Sequence, residues 1–413
     1  MSGPGTGTSA TGTSAPTPTG DTQPPMMLRK PKSRAPLIAG IVIVIIVVAA
    51  LGGGYAAGWF KAAAASKCGT TTKGTLLAEG STLVAPLMDQ WASVYWGGGV
   101  LTYDSVGSSS GISAITTHVA DIGASDAPLT SSQRSSAPGL LTVPESAGGV
   151  VPIYNLPGIS TLNFNGTVLA DIFDGNITNW NNTPLQTLNP HTTLPSATID
   201  PIYRTGGSGT TFIFTSFLTL ESKYWAKTYG KGLDWPTNIT VGSGASGNGG
   251  VATTVSTTTD SIGYVDLNYA LTAGSGVGIG SVQNPSGNFI RATVANTLSA
   301  LEDVHPTLPA PTASWYNVSL LNAPGATDYP ITSFTYMLVY ENLSSYTGTS
   351  NPYTMTKAEN LVDFLTWAVT LGQNYSAILS YVPLPSYVTD ADLSAISLMN
   401  LGGSSIPVCV PAS

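Results

Sequence analysis

Charged side chains are scarce in this sequence, since only 9% of its 413 residues are Asp, Glu, Lys or Arg, against about 25% in an average soluble protein. Positive charge is scarcest in the main body, residues 75–413, which holds 7 of the 14 basic residues and 21 of the 22 acidic ones, a net charge of −14. Nucleic-acid binding needs clustered Lys and Arg to neutralise phosphates. This composition therefore argues against a nucleic-acid partner.

Metal-ligating side chains are also few, with three scattered His (118, 191 and 305) and two Cys in the whole chain. These residues cannot build a zinc site of the usual kinds, so no metal and no cofactor is predicted. Cys68 and Cys409 bracket the main body. If the body is outside the cell, its oxidising surroundings favour a disulfide between them; two separate thiols are the alternative.

The first 74 residues differ in character from the rest. Residues 1–36 form a Ser/Thr/Gly/Pro-rich tail with a basic end, predicted to be disordered. Residues 37–60 lie within an uncharged stretch, long enough to span about 30 Å of hydrocarbon, and 61–74 form a linker. A cleaved signal peptide is the alternative, although its apolar core is shorter and lies nearer the N-terminus. The basic run Arg29–Arg34 predicts a cytoplasmic N-terminus and an extracytoplasmic body.

The Asn-X-Ser/Thr sequons of the main body agree with an extracytoplasmic location. Chance matches are the alternative, because the chain is rich in Asn, Ser and Thr. The candidate glycosylation sites are Asn165, Asn176, Asn181, Asn238, Asn317, Asn342 and Asn374.

Strand and helix patterns alternate along the main body. Residues 99–106, 149–154 and 335–340 have the β-branched and aromatic composition of strands. Residues 111–119 and 358–371 have apolar residues at helical spacing. This alternation predicts an α/β fold with mainly parallel strands, in two sheets rather than one, and with most aromatic side chains in the core.

Three loops rich in Gly, Ser and Thr each precede a predicted helix: EGSTL (79–83), GSSSG (107–111) and GGSGT (206–210). Free N–H groups and the macrodipole attract anions to helix N-termini. Ordinary helix capping explains any one such loop. Three of them, with Arg204 two residues before the last, favour one shared anion, because a guanidinium offers a planar fork of donors to an oxyanion.

Two other motifs point elsewhere. GSSSG formally matches the G-x-S-x-G nucleophile elbow of esterases, but neither His191 nor His305 has a recognisable catalytic setting. GSGASG (242–247) matches the dinucleotide motif G-x-G-x-x-G, a weak signal in a chain with 46 Gly. It is interpreted as a Gly-rich loop, and no enzymatic activity is predicted.

Six segments carry a family resemblance: EGSTLVAPLMDQW, YDSVGSSSGI, ADIGASDAPL, YRTGGSGTTFIFTSFL, SIGYVDLNYA and DYPITSFTYMLVY. In this order they resemble the phosphate-binding proteins of ABC phosphate importers. The resemblance implies a type II periplasmic-binding-protein-like α/β fold, preceded here by the transmembrane helix. It implies a binding domain I (75–150 and 326–413) and a binding domain II (151–325), joined by a two-strand hinge. The implied partners are inorganic phosphate and an ABC permease with its ATPase subunits.

By motif position, the resemblance implies a phosphate-binding set made of Thr82, Leu83, Ser108, Asp126, Arg204, Ser208, Gly209 and Thr210. The family often has an aromatic residue where Leu83 stands, and an Asp where Gly206 stands, which leaves open what holds Arg204. Asp126 can accept a proton from HPO4²⁻ or H2PO4⁻ but not from sulfate, so it is the predicted selectivity element. A surface structural protein or adhesin on the same scaffold is the alternative function.

Overall fold

The computed structural model describes residues 74–95 and 100–408. The predicted tail, membrane anchor and most of the linker lie outside these residues, as do Cys68 and Cys409 with their predicted disulfide. Within the described part of the chain, no helix is both long and apolar enough to cross a bilayer.

The strands, in chain order, are β1 (Thr75–Gly80), β2 (Val100–Ser105), β3 (Ile122–Ser125), β4 (Leu140–Tyr154), β5 (Asn163–Phe164), β6 (Asp200–Thr205), β7 (Ser243–Ser246), β8 (Ser261–Asp266), β9 (Gly278–Ile279), β10 (Ser281–Gln283), β11 (Phe289–Ile290), β12 (Thr332–Tyr340), β13 (Asn400–Leu401) and β14 (Ser404–Ser405). The α-helices are α1 (Ala85–Val94), α2 (Ser108–Thr116), α3 (Ser131–Ser136), α4 (Gly166–Phe173), α5 (Thr183–Leu188), α6 (Gly209–Glu221), α7 (Lys223–Thr228), α8 (Gly247–Thr257), α9 (Leu267–Thr272), α10 (Val294–Val304), α11 (Met355–Ala368) and α12 (Ser386–Ile396). Short 3-10 turns follow β12 and α11.

The central sheet runs in the order β2-β1-β3-β12-β4-β8-β6-β7, with β9 also paired to β4. Its two wings are parallel, since β1 pairs with β2 and β3, and β6 pairs with β7 and β8. The centre is antiparallel, because β12 runs against β3 and β4, and β4 runs against β8. The prediction of mainly parallel strands is therefore wrong at the centre, and the sheet is mixed.

The long strand β4 belongs to both of the predicted sheets and joins them into one continuous path of strands. Residues 140–149 of β4 pair with β12, whereas residues 150–154 pair with β8. A strand of about 15 residues spans roughly 50 Å, enough to pair on both sides of the molecule. The 15-residue length of β4 thus joins the two parallel wings through shared backbone hydrogen bonds.

The predicted elements are confirmed with shifted ends. The helix predicted over 111–119 begins at Ser108, so the GSSSG motif forms its first turn rather than a preceding loop. The interpretation of 242–247 as a loop is wrong: β7 ends at Ser246 and α8 begins at Gly247. The prediction of aromatic side chains in the core is confirmed by Trp91, Trp180 and Trp225, which are fully buried.

Candidate functional site

The predicted binding loops meet at one edge of the sheet. Ser81 and Thr82 follow β1, Asp126 follows β3, Arg204 lies at the end of β6, and α8 begins directly after β7. All four strands belong to the parallel wings, whose carboxyl ends open into the crevice where α/β proteins bind ligands. Because each of these residues lies at the end of a parallel strand, the polar side chains come together at one edge of the sheet.

Asp126, directly after β3, is buried, with 1% of its surface exposed. Its Oδ1 accepts hydrogen bonds from Ser81 Oγ at 2.5 Å and from Thr335 Oγ1 at 2.9 Å. Among the described residues its Oδ2 has no hydrogen-bond partner. Burial raises the pKa of Asp126 to about 6, against the hydrogen bonds and the Arg204 charge, which lower it. At neutral pH this carboxyl is mostly ionised.

Arg204 is buried to a similar degree, with 3% exposed. Its Nη1 donates to Thr210 Oγ1 at 3.4 Å, and its backbone N–H donates to the Tyr264 hydroxyl at 3.2 Å. Burial lowers the pKa of the Arg204 guanidinium, whereas the charge of Asp126 favours its protonated form. Gly206 has no side chain to hold Arg204. Thr210 supplies a hydrogen bond to the guanidinium instead, and Asp126 supplies a compensating negative charge.

Ser108 links the two wings of the site. Its Oγ accepts the backbone N–H of Asp126 at 3.3 Å and that of Gly209 at 3.1 Å. Gly209 approaches so closely that a Cβ there would lie 2.5 Å from both Asp126 Oδ2 and Ser108 Oγ. Only glycine fits at this point of the site.

Asn248 is a site residue that the sequence analysis missed. It lies in the first turn of α8, is fully buried, and its Nδ2 donates to the hydroxyls of Thr82 and Thr210 at 3.0 Å each. The backbone N–H of Asp266 fixes its orientation by donating to its Oδ1. GSGASGNGG, residues 242–250, has the same Gly/Ser composition as the three loops that were recognised, and that signal could have revealed it.

Two further predicted ligands, Leu83 and Ser208, also have local hydrogen-bond partners. The backbone N–H of Leu83 donates to Ser81 Oγ at 3.0 Å. Ser208 Oγ accepts from the backbone N–H of Thr211, which makes it the N-cap of α6. Both contacts stabilise the binding loops, and the roles of Leu83 and Ser208 as ligands stay predictions. The other six predicted residues lie within one contact network.

A cavity of about 410 Å³ opens beside this network. Thr82, Arg204, Gly206, Gly247 and Tyr269 line it. Burial raises the pKa of Tyr269 to about 12, so its hydroxyl keeps its proton at neutral pH. The cavity is lined by hydrogen-bond donors and backbone rather than by acids.

The candidate glycosylation sites differ in exposure. Six of the seven Asn residues are exposed, whereas Asn165 is half-buried and its side chain caps α4 by accepting from Val168 N–H. Asn342 is exposed, but its Oδ1 accepts from Ser344 and from the backbone of Gly402. Use of these sequons stays a prediction.

Three comparisons place this architecture among known proteins. A family model of the PBP superfamily domain matches residues 65–370. The phosphate-binding protein PstS of Methanocaldococcus jannaschii is 35% identical over 313 residues, which is 72% of this chain and 79% of the relative. The PstS of Pasteurella multocida is also 35% identical, over 330 residues, 77% of this chain and 89% of its own.

The fold agrees with these sequence matches. The solved phosphate-binding protein of Stenotrophomonas maltophilia superimposes with a TM-score of 0.61 at 19% identity, covering 78% of this chain and 93% of that one. The resemblance seen in the six sequence segments is confirmed. The chain belongs to the PBP superfamily and, within it, to the family of PstS phosphate-binding proteins.

Proposed function

We propose that this protein captures inorganic phosphate outside the cytoplasm and delivers it to an ABC permease with its ATPase subunits. One observation carries the proposal: a buried guanidinium, three oriented hydroxyls and one buried carboxylate converge at the same edge of the sheet. A tetrahedral oxyanion with one remaining proton matches that set, because the guanidinium and hydroxyls donate to it while the carboxylate accepts its proton.

The orientation of the hydroxyls supports donation to an anion. Thr82 Oγ1 accepts two N–H bonds from Asn248, and Thr210 Oγ1 accepts from Arg204 and Asn248. Ser108 Oγ accepts two backbone N–H groups. A hydroxyl has two lone pairs and one proton, so each of these groups has its proton left to donate. Charge-assisted bonds of this kind contribute about 1.5–3 kcal/mol each, so tight binding needs no positive surface.

Selectivity follows from Asp126. Its ionised Oδ2 can accept the proton of HPO4²⁻, whereas sulfate has no proton to share and would leave two buried negative charges in contact. Such a pair costs several kcal/mol. Phosphate is therefore preferred, although the surrounding donors fit both anions.

Closure of two lobes is part of the proposal. Lobe I comprises 75–150 and 326–413, and lobe II comprises 151–325. β4 supports this division, because its pairing changes from β12 to β8 between Gly149 and Val150. In this proposal the hinge consists of β4 where its pairing changes, at Gly149–Val150, and of the segment that leads into β12, and phosphate binds between the lobes. Hinged closure around a ligand is a common device in binding proteins.

The remaining proposed features concern the cell surface. Residues 37–60 anchor the chain with the N-terminus in the cytoplasm, Cys68 and Cys409 form a disulfide next to the membrane linker, and the exposed sequons carry glycans. The uncharged composition of 37–60 and the preceding basic run support the anchor. The surface structural alternative has no comparable support from the site, whose buried donors serve no purpose in adhesion.

Isothermal titration calorimetry of the purified chain with phosphate tests the proposal, with sulfate as the competitor. We expect phosphate to bind and sulfate at equal concentration to compete about 100-fold less well. In Asp126→Asn the amide can donate to sulfate, so the preference for phosphate should fall at least about tenfold. Absence of phosphate binding would contradict the proposed function, and equal competition by sulfate would contradict the role of Asp126.

A further inference from the structure

Glu145 is a buried acid that the proposed binding set does not use. It lies within β4, and its side chain is fully buried. Opposite it the register of β12 shifts: Thr335 pairs with Ser146 and Tyr336 pairs with Pro144, so Glu145 is the extra residue of a β-bulge. Bulges re-aim a side chain and often lie beside functional sites. Here the bulge directs the Glu145 carboxyl towards Thr335 and the binding crevice.

Thr335 connects Glu145 to the site. Its Oγ1 lies 2.9 Å from Glu145 Oε1 and 2.9 Å from Asp126 Oδ1. A hydroxyl carries one proton and can donate to only one of these oxygens. The second contact joins two oxygens with no proton between them unless one carboxyl is itself protonated. The geometry therefore favours a proton on Glu145 or on Asp126, since a single hydroxyl proton shared between both oxygens gives two weaker bonds.

The surroundings of the two carboxyls place that proton on Glu145. Asp126 Oδ1 receives a second hydroxyl proton from Ser81, and the Arg204 charge favours its ionised form. Within the described residues the Glu145 carboxyl has a hydrogen bond only through Thr335, and its Oε2 has no partner. Burial and the nearby Asp126 raise the pKa of Glu145 to about 8, against about 6 for Asp126.

We propose that Glu145 is a positioning residue for phosphate recognition: its protonated carboxyl donates to Thr335, which aims the Thr335 hydroxyl at Asp126 and keeps Asp126 an ionised acceptor for the ligand. The inference rests on the proposed function. In this relay the O–H of Glu145 points to Thr335 Oγ1, and the O–H of Thr335 points to Asp126 Oδ1. Both donors to Asp126 then meet Oδ1, which leaves Oδ2 for the proton of phosphate.

Loss of the Glu145 proton breaks the relay. The ionised carboxylate competes with Asp126 for the Thr335 hydroxyl and adds a negative charge close to a bound anion. The titratable groups that interact with Glu145 or Asp126 are Tyr103, Arg204, Asp266, Tyr336 and Tyr381. Burial raises the pKa of Tyr103 well above its ordinary value, and Arg204 remains protonated. The relay thus predicts weaker phosphate binding as the pH rises through the titration of Glu145.

The test compares phosphate affinity in the wild-type chain and in Glu145→Gln. The Gln amide donates to Thr335 as the protonated acid does, but it has no proton to lose. Between about pH 7 and about pH 9.5 the wild-type Kd for phosphate should rise at least about tenfold, and that of the variant about threefold or less. The second ionisation of phosphate contributes equally to both chains, so it cancels from the comparison.

A second measurement locates the proton without phosphate. The infrared difference spectrum between about pH 7 and about pH 9.5 should show loss of a protonated carboxyl band in the wild type but not in Glu145→Gln. Asp392→Asn is the matched control, because Asp392 is also a buried acid whose raised pKa comes from burial alone. It should keep the wild-type dependence of phosphate Kd on pH.

Two outcomes overturn the relay. One is an equal change of Kd with pH in the wild type and in Glu145→Gln. The other is a difference spectrum in which the variant loses the same carboxyl band as the wild type. If the wild type fails to bind phosphate at any pH, the proposed function fails instead. The infrared measurement then still decides where the proton lies.

Discussion

The two faces of the site differ in what they offer an anion. The acid face, formed by Ser81, Asp126 and Thr335, concentrates its hydrogen bonds on one carboxylate oxygen. The donor face, formed by Arg204, Gly209 and Thr210, supplies the guanidinium and the start of helix α6. Under the proposed function, an anion would meet donors on one face and a proton acceptor on the other. Both faces are buried, so under the proposed function the placement of protons, rather than exposure, would distinguish phosphate from other anions.

Arg204→Ala removes the only charged donor of the donor face, so its effect should be the largest. Loss of a charge-assisted hydrogen bond and of the charge that compensates Asp126 should weaken phosphate binding at least about 100-fold. Isothermal titration calorimetry measures the change. Arg291→Ala, at an exposed position, is the control and should bind as wild type; equal weakening in both variants would refute the assignment of Arg204.

Gly209→Ala tests how closely the two faces must approach. The added Cβ would lie 2.5 Å from both Asp126 Oδ2 and Ser108 Oγ, so the faces must separate and the hydrogen bonds to Ser108 must lengthen. Phosphate Kd should rise at least about 30-fold. Gly206→Ala is the control and should raise the Kd less, because nothing lies within 4 Å of an added Cβ. Its positive φ of 71° costs some stability. Wild-type affinity in Gly209→Ala would show that the faces do not meet in the bound state.

Asn248→Ala tests the hydrogen bonds that join Thr82 to Thr210 of the donor face. Without the amide, Thr82 and Thr210 lose N–H donors that leave their hydroxyl protons for the ligand. Neutral hydrogen bonds contribute about 1 kcal/mol each, so phosphate Kd should rise about tenfold. Asn155→Ala is the control, because its side chain donates only to the backbone at Val255 and Ser256. Equal Kd values for the two variants would remove Asn248 from the site.

At neutral pH Glu145→Gln should have the smallest effect on phosphate Kd, and it should also change stability in a pH-dependent way. The pKa of Glu145 is raised on folding to about 8, so the native state binds a proton that the unfolded state releases above about pH 4.3. The contribution of Glu145 is therefore fully present below that pH and is lost as the pH rises through about 8. Glu145→Gln should match the wild-type Tm near about pH 4 and exceed it by roughly a few °C above about pH 8.

Thermal unfolding followed by circular dichroism measures this difference. A Tm difference that stays constant between the two pH values would show that Glu145 is ionised in the native protein. The same series on Asp126→Asn should show its change at lower pH, since the pKa of Asp126 is raised only to about 6.

Local patterns explain the part of the site that the sequence predicted. Thr82, Ser108, Asp126, Arg204 and Gly209 each follow or end a parallel strand, and the loops that carry them have a recognisable Gly/Ser/Thr composition. The same reasoning failed for residues 242–247, where short Gly-rich composition was interpreted as a loop although it forms β7 and the start of α8. Four residues of strand with few β-branched side chains give too weak a period-two pattern to detect.

The sequence alone determined the order of elements, the charge-poor body and the family, because these depend on neighbours along the chain. It also predicted two residues that line the cavity, Thr82 and Arg204. Only the tertiary structure decided which buried acid faces which hydroxyl. Thr335 lies 209 residues from Asp126 and 190 from Glu145. Their meeting depends on the antiparallel pairing of β12 and on one bulge in β4. A register shift by a single residue turns a strand's side chains to the opposite face, so no local pattern could have predicted this contact.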